Sequence, residues 1–534
     1  VMVSSPKPRR PVTALGVEFR FVRCRREHLF GLTEHWVTKQ EKVRVQIGGT
    51  ASLDILLEVP TAEETITVTA RRPVVDKEKT SLGTNFDDEF LEEVPVSRQY
   101  QSVAQLAPGV TGGGNPNVHG SSLYSNQYLV DGVNTTDPVT NTFAFNMNYD
   151  AIKEFQILTG GLDAEYGQAM GGVINLVTKS GGNEFHVDTT FYMRPDWLTL
   201  KDNFEKDEAG KQDMYQFNVN VGGPIIKDKL WYFASVELDR NVTSISPTED
   251  FFDLTNPDPI QHPSRKWFSV YYLGKLTYQM TDKHKITAMT MGDPTWLENE
   301  IQAVKTAPEA ERQRYQGGAF YSLAWEALWS KSIFQKTQVA FKDQRLFIYP
   351  MGCHDLDNPE CRGHYDAATG LSTINDTYYT DDKRYRLQAD TAVTYYLDNF
   401  IGDHEWKSGI QFAHTWNTNF DKIPGGASYT DYDGQPYRIT RMVPGEDGEL
   451  SGLETTLSGD TLSWYLQDAW KITDTLTFKP GVRIDWAQTR NYADEVITEF
   501  LTTSPRINMV WDATGDGKTV VRAGYNRYVD TGYL

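Results

Sequence analysis

The sequence predicts a mainly β protein. Its largest part reads as an antiparallel transmembrane β-barrel, incomplete at about 13 strands. Ahead of it come a compact α+β domain and the remnant of a small N-terminal β domain. Three observations carry this reading. After residue 183, segments of about ten or more residues alternate between apolar and polar positions. The breaks between those segments alternate short, long, short, long. Aromatic residues reach 12% of a 534-residue chain whose hydrophobic share is only 39%, which suits large side chains facing a thin apolar layer.

Residues 1–40 stand apart. They hold Lys7, Arg9, Arg10, Arg20, Arg23, Arg25, Arg26 and Lys39 against Glu18, Glu27 and Glu34, with no clear periodicity. They are left unassigned, as a poorly ordered arm or an error at the start of the gene model. No continuous apolar stretch of the signal-peptide type lies in them. Residues 41–62 read as the end of a small β domain. KVRVQIGGTASLDILLEV alternates at Val43, Val45 and Ile47, turns at Gly48-Gly49, and alternates again at Leu53, Ile55 and Leu57. EETITVTARRP, residues 63–73, is a short β-branched run that Arg71, Arg72 and Pro73 stop. It is either the last strand of that domain or an isolated strand-former in a linker.

Residues 74–182 form the α+β domain. DDEFLEEVPV predicts a short capped helix, and SRQYQSVAQLAPGV a second one ended at Pro108-Gly109. A Gly- and Asn-rich stretch follows, and then QYLVDGV, IKEFQIL and GGVINLVTK read as strands.

From 183 to 534 the predicted strands lie near 184–194, 213–223, 230–241, 266–280, 285–292, 313–329, 333–347, 384–397, 405–417, 460–472, 476–488, 503–512 and 519–529. Their faces differ. Tyr215, Phe217, Val219 and Val221 oppose Gln216, Asn218 and Asn220; Tyr385, Leu387, Ala389, Val393, Tyr395 and Leu397 oppose Arg386, Gln388 and Asp390. Aromatics crowd strand ends, as at Trp231-Tyr232-Phe233, Trp267-Phe268, Tyr395-Tyr396, Trp464 and Trp470. In lipid every backbone group must pair within the protein, so strands can span only as a barrel. Its outer face must be apolar, its interfaces favour Trp and Tyr, and its loops are long at one end only. A soluble sandwich or propeller also alternates, but its strands are shorter and its loops lack this asymmetry.

Net charge is −20, from 72 acidic and 52 basic residues, which argues against nucleic-acid binding. No window approaches 18 consecutive apolar residues, so no membrane-spanning helix is expected. The nucleophile elbow, the zinc-protease helix motif, the Walker loop and the dinucleotide fingerprint are all missing in usable context, so no enzyme and no cofactor are expected. Of the three cysteines, Cys353 and Cys361 lie close together in a polar loop and permit one disulfide. Asp355, Asp357 and Glu360 between them offer weak Ca²⁺ ligands. A zinc set of Cys353, His354, Cys361 and His364 is conceivable, with spacing unlike a standard module.

Taken together, ETITVTA, NQYLVDGV, EYGQAMGGVINLVTKSGGNEFH and GGPIIKDKLWYF, followed by the long barrel pattern, resemble the TonB-dependent outer-membrane receptors of Gram-negative bacteria. The match is to the Oar-like branch, in which a carboxypeptidase-regulatory-like β domain precedes a plug. The resemblance covers roughly 42–534. That family closes its barrel with 22 strands, so an odd count near 13 implies a C-terminally truncated piece of a longer protein or an incomplete gene model.

The resemblance implies a plug at 74–182 and a partial outer-membrane barrel at 183–534. It implies a TonB box at Thr65, Ile66, Thr67, Val68 and Thr69, offered as a strand to a TonB-type periplasmic energy-coupling protein. It puts Gly112–Gly114, Asn115, Asn117 and His119 at the outward plug apex as substrate contacts. Gly120, Gly132, Gly167, Gly171 and Gly172 would serve turns and tight packing, and Asp131 would accept hydrogen bonds in a turn. Expected partners are outer-membrane lipid and an extracellular substrate, with siderophores, oligosaccharides, peptides and proteins all open. The function implied is energy-coupled uptake. The alternatives are a surface adhesin or assembly factor of the same form, and a secreted β-rich enzyme.

Overall fold

The computed structural model of the chain describes residues 22–25, 35–38, 79–198, 212–244, 263–301, 305–442 and 452–531. The hairpin expected at 43–57 and the segment 63–73, with Thr65, Ile66, Thr67, Val68 and Thr69, lie outside the described residues. In the N-terminal stretch read as patternless, β1 (Val22–Arg25) pairs antiparallel with β2 (His35–Thr38). Four residues each are too few to show a period.

The α+β domain begins with β3 (Leu82–Asp87), α1 (Asp88–Glu93) and α2 (Tyr100–Ala104). Asp87 caps α1, its carboxylate accepting from Phe90 N at 3.1 Å. Next come β4 (Val110–Thr111), β5 (Asn117–Val118), β6 (Gln127–Val130), β7 (Val133–Asn134), β8 (Ile152–Gly160) and β9 (Val173–Thr178). Five of these make a mixed sheet in the order β3-β8-β9-β6-β7, with β6 and β9 parallel. Its packed face buries Phe86, Tyr128, Phe155, Ile157 and Ile174 against Val103 and Ala104 of α2. β3 gave no clear strand signal because Gly, Thr and Asn break the apolar alternation of LGTNFD. The sheet supplies the order through pairing with β8.

The remaining chain makes one antiparallel wall. Its strands are β10 (His186–Arg194), β11 (Gln212–Ile226), β12 (Leu230–Thr243), β13 (Arg265–Thr281), β14 (His284–Gly292), β15 (Thr295–Glu298), β16 (Arg312–Leu328) and β17 (Ile333–Pro350). Between β17 and the next wall strand, β18 (His364–Asp366) and β19 (Ser372–Thr373) form in a long loop. The wall continues with β20 (Tyr379–Leu397) and β21 (Asp403–Lys422). A second loop pair follows, β22 (Ala427–Tyr432) and β23 (Gln435–Arg441). β24 (Leu453–Thr473), β25 (Leu476–Arg490), β26 (Val496–Asp512) and β27 (Val520–Asn526) complete the wall.

Wall neighbours are consecutive in sequence, as a meander requires. β14 and β15 both pair with β13 and β16, so they are one strand broken at Asp293-Pro294. The break turns Asp293 inward, where its Oδ2 accepts from the backbone N of Asn146 at 2.9 Å. Among the described residues, β10 and β27 are the two edges and do not pair with each other.

Burial in the wall inverts the rule for soluble sheets. Gln216, Asn218 and Asn220 are buried, while Phe217 is 42% exposed. Arg386 and Gln388 are buried, and Leu387 is exposed. Cross-strand register continues the outer face, with Phe217 opposite Leu238 and Leu238 opposite Val270. Aromatic clusters mark the short-turn end, where His284 stacks on Trp325 and meets Trp329 edge-on, and His404 stacks with Trp406 and Trp470.

Candidate functional site

The α+β domain sits inside the wall as a plug, and side chains from both make the seam. Asp131 and Gly132 form the two-residue turn between β6 and β7, both with positive φ, 49° and 86°. That is the Asp-Gly signature of a type I′ hairpin, and Gly takes the second position without strain. The turn aims the Asp131 carboxylate sideways. Oδ1 accepts from Thr178 N at 3.0 Å, and Oδ2 from Thr178 Oγ1 and from Lys275 Nζ on β13, each at 2.7 Å. Burial alone would raise the carboxyl's pKa. The Lys275 ammonium and the Thr178 donors outweigh burial and hold it below the usual range.

Three further plug carboxylates meet wall cations. Asp137 Oδ2 accepts from Arg384 Nη1 at 2.9 Å, Glu165 Oε2 from Lys407 Nζ at 2.5 Å, and Asp163 Oδ2 lies 3.4 Å from Lys479 Nζ. Burial pushes Asp137 and Glu165 up, and the facing cations pull both below their ordinary values. Arg483 donates to the carbonyls of Ala164 and Glu165, and lies against Gly167, where any Cβ would collide with its guanidinium. The opposite arc is mainly apolar, with the Asp131–Lys275 pair set into it: Phe233, Leu273, Met289, Met291, Phe320 and Ala340 of the wall join the plug core.

The proposed apex residues Asn115, Asn117 and His119 come together on the small β4–β5 hairpin. Gly112–Gly114 form its exposed tip, and His119 and Gly120 are exposed just beyond it. Gly171 and Gly172 pack tightly, with Asn126 Oδ1 and Leu158 O in the space a side chain would need. A cleft opens elsewhere, on the long-loop side of the seam, between Asp137, Asn141 and Gln168 of the plug and Arg386, Asp460 and Gln488 of the wall. Sequence reading did not single these out as a site. Arg386 was legible as an inward polar position, but Asn141 and Gln168 lie on irregular segments that only tertiary packing brings to the wall.

Above the wall, the long loops after β17 and β21 build a four-stranded sheet, β19-β18-β22-β23, whose parallel β18–β22 pair ties the two loops together. Cys353 and Cys361 are bonded, and Asn375 donates to Cys361 O at 2.9 Å. The proposed metal sets are not assembled. Asp357 pairs with Lys422 at 2.6 Å, Asp355 accepts from Asp357 N, and Glu360 is exposed. The zinc reading is corrected: both thiols are consumed in the disulfide, and His364 Nδ1 faces Asp431 Oδ2 at 2.7 Å. Among the described residues no three His, Cys, Asp or Glu side chains could share a metal.

Comparison with known proteins agrees with this architecture. The family model "TonB-dependent Receptor Plug Domain" matches residues 77–173. "Outer membrane beta barrel domain" matches 177–256, and "TonB dependent receptor-like, beta-barrel" matches 295–533. The chain is 24% identical to the TonB-dependent transporter Oar of Myxococcus xanthus, over 91% of this chain and 55% of that protein. It is 25% identical to the probable TonB-dependent siderophore receptor PirA of Acinetobacter baumannii, over 80% of this chain and 55% of that protein. In fold it resembles the outer membrane transporter YddB of Escherichia coli, with a TM-score of 0.64 and 16% identity, covering 84% of this chain and 61% of that one. The chain thus spans about half the length of the curated relatives it matches. With a plug sheet seated inside an outward-apolar strand wall and both parts matched by their family models, the chain belongs to the TonB-dependent receptors of the Gram-negative outer membrane.

Proposed function

We propose that this chain works in energy-coupled uptake of an extracellular substrate. The substrate is admitted through the cleft on the long-loop side, and the β4–β5 hairpin with Asn115, Asn117 and His119 supplies further contacts. The outward belt of Phe217, Leu238 and Leu387 faces outer-membrane lipid. The observation that carries the reading is the mixed seam around the plug. A permanent stopper would be sealed by apolar packing all round. Here one arc is held by Asp137–Arg384, Glu165–Lys407 and Asp163–Lys479, contacts whose groups water can solvate when they part.

A pull on the plug's N-terminal side would break those contacts first. In this reading the pull comes from a TonB-type periplasmic protein that adds residues 65–69 to its own sheet. The test is deletion of 64–69. Uptake of the substrate that co-purifies with the protein should be lost, while membrane insertion and heat-modifiable gel mobility stay intact. Unchanged uptake would overturn the proposal, and would favour a surface role that needs no energy coupling.

A further inference from the structure

Lys342 on β17 and Arg386 on β20 are direct cross-strand partners, and both are buried on the inner face at 3% and 7% exposure. Like charges opposite one another on a ladder repel, and a poorly solvated wall strengthens the repulsion. Several other buried wall cations are matched at short range, although Arg506 on β26, 3% exposed, reaches only the Tyr166 carbonyl at 3.2 Å and the Tyr528 ring. Arg384 is held between Asp137 and Asp382, Arg483 by Asp485, Lys407 by Glu165 and Lys275 by Asp131.

Lys342 and Arg386 have no such partner. Among the described residues, neither has a carboxylate oxygen within ion-pair distance. Lys342 donates to the carbonyl of Thr136 at 3.1 Å and lies 6.0 Å from the centre of the Phe145 ring. Arg386 reaches Gln168 Oε1 only at 3.5 Å, and its Nε is buried without an acceptor. The carboxylates whose charge reaches the pair are engaged elsewhere. Asp137 is bonded to Arg384, and Asp390 accepts from Gln388 at 3.1 Å. Asp460, across the cleft, is bonded to His414 at 2.7 Å.

Arg386 lines the outer cleft, and Lys342 lies behind it, where the two line a narrow gap with Gln388 and Asn134 beneath the plug segment 133–135. A planar guanidinium beside an ammonium matches a carboxylate, one giving a fork and the other a point charge.

We infer that Lys342 and Arg386 form a subsite for a carboxylate group of the imported substrate. The inference rests on the uptake reading and narrows its substrate to anionic solutes. It also explains why a repelling pair persists in the wall: the ligand supplies the missing charge.

The test uses the whole chain in detergent, with succinate as probe and its neutral diamide as control at fixed ionic strength. Succinate should bind and raise the unfolding temperature, and the diamide should do neither. Arg386→Gln and Lys342→Gln should each weaken succinate binding about tenfold, as expected when a charged hydrogen bond is lost, and Arg386→Lys should keep most of it. Without ligand, Arg386→Gln should unfold at the same temperature as the parent or a higher one, because repulsion is relieved. Equal binding by parent and Gln variants, equal binding of the diamide, no succinate effect on the parent, or a ligand-free Arg386→Gln protein less stable than the parent would each overturn the subsite. Deleting 64–69 separates the two readings. If succinate binding persists and uptake is lost, both stand. If both persist, uptake by energy coupling falls while the subsite remains.

Discussion

Asp131 Oδ2 in the plug and Lys275 Nζ in the wall lie 2.7 Å apart, with the two side chains only 19% and 5% exposed. Lys275 also donates to the carbonyl of Thr178 at 3.2 Å, so the ammonium is shared between a plug turn and the end of a plug strand. One wall residue thereby fixes two plug elements. Asp131→Asn would leave a buried ammonium without its counter-charge, a loss of about 3–5 kcal/mol. The expected outcome is a lower unfolding temperature for the plug with barrel gel mobility unchanged. Adding Lys275→Met should recover part of the loss. If the single variant were as stable as the parent, the pair would not anchor the plug.

Acid should loosen the plug through the same groups. Asp131, Asp137 and Glu165 all have carboxyls held below their ordinary values in the folded protein, despite burial that acts the other way. A carboxyl with a lowered folded pKa stabilises above its unfolded pKa, and that contribution is lost as pH falls toward the folded value. Plug stability should therefore be flat, as far as these groups are concerned, from neutral pH down to about pH 5 and fall steadily below it. The slope in acid should be shallower in the Asp131→Asn, Lys275→Met double variant, measured by thermal unfolding at stepped pH. Superimposable curves would mean that these pairs do not set the acid response.

The wall was legible where lipid imposes a two-sided environment. Leu387 between Arg386 and Gln388 needs no structure to be read as outward. Legibility stopped where lipid stops. β20 begins at Tyr379 and β21 runs to Lys422, each some residues beyond the predicted strand, because both faces of Asp381–Arg384 and Asn417–Asn419 are polar and only the hydrogen-bond ladder continues. The loop sheet was hidden for a related reason: β18 pairs with β22 across more than sixty residues, and each strand is too short to alternate. In the plug, Asp131-Gly132 announced a turn, but nothing local said that Lys275 would meet it. The cleft was least visible of all, since Gln168 and Asn141 become neighbours of Arg386 only when plug and wall are assembled.

The plug should open from its charged arc. Parting Glu165 from Lys407 exposes groups that water solvates, whereas parting the plug from Phe320, Met289 and Met291 exposes apolar surface at roughly 25 cal/mol per Å². Residues 163–168 and 143–148 are both irregular segments, and they touch opposite arcs. Asp163 and Glu165 face Lys479 and Lys407, and Phe145 packs 6.2 Å from Phe320. Lys407→Met should therefore speed backbone hydrogen exchange at 163–168 about tenfold, the effect of losing one charged hydrogen bond, and leave 143–148 nearly unchanged. Phe320→Ala should do the reverse, since a cavity under Phe145 removes apolar contact from the other arc. If both variants accelerated both segments equally, the plug would move as one rigid body and the charged arc would not be its opening side.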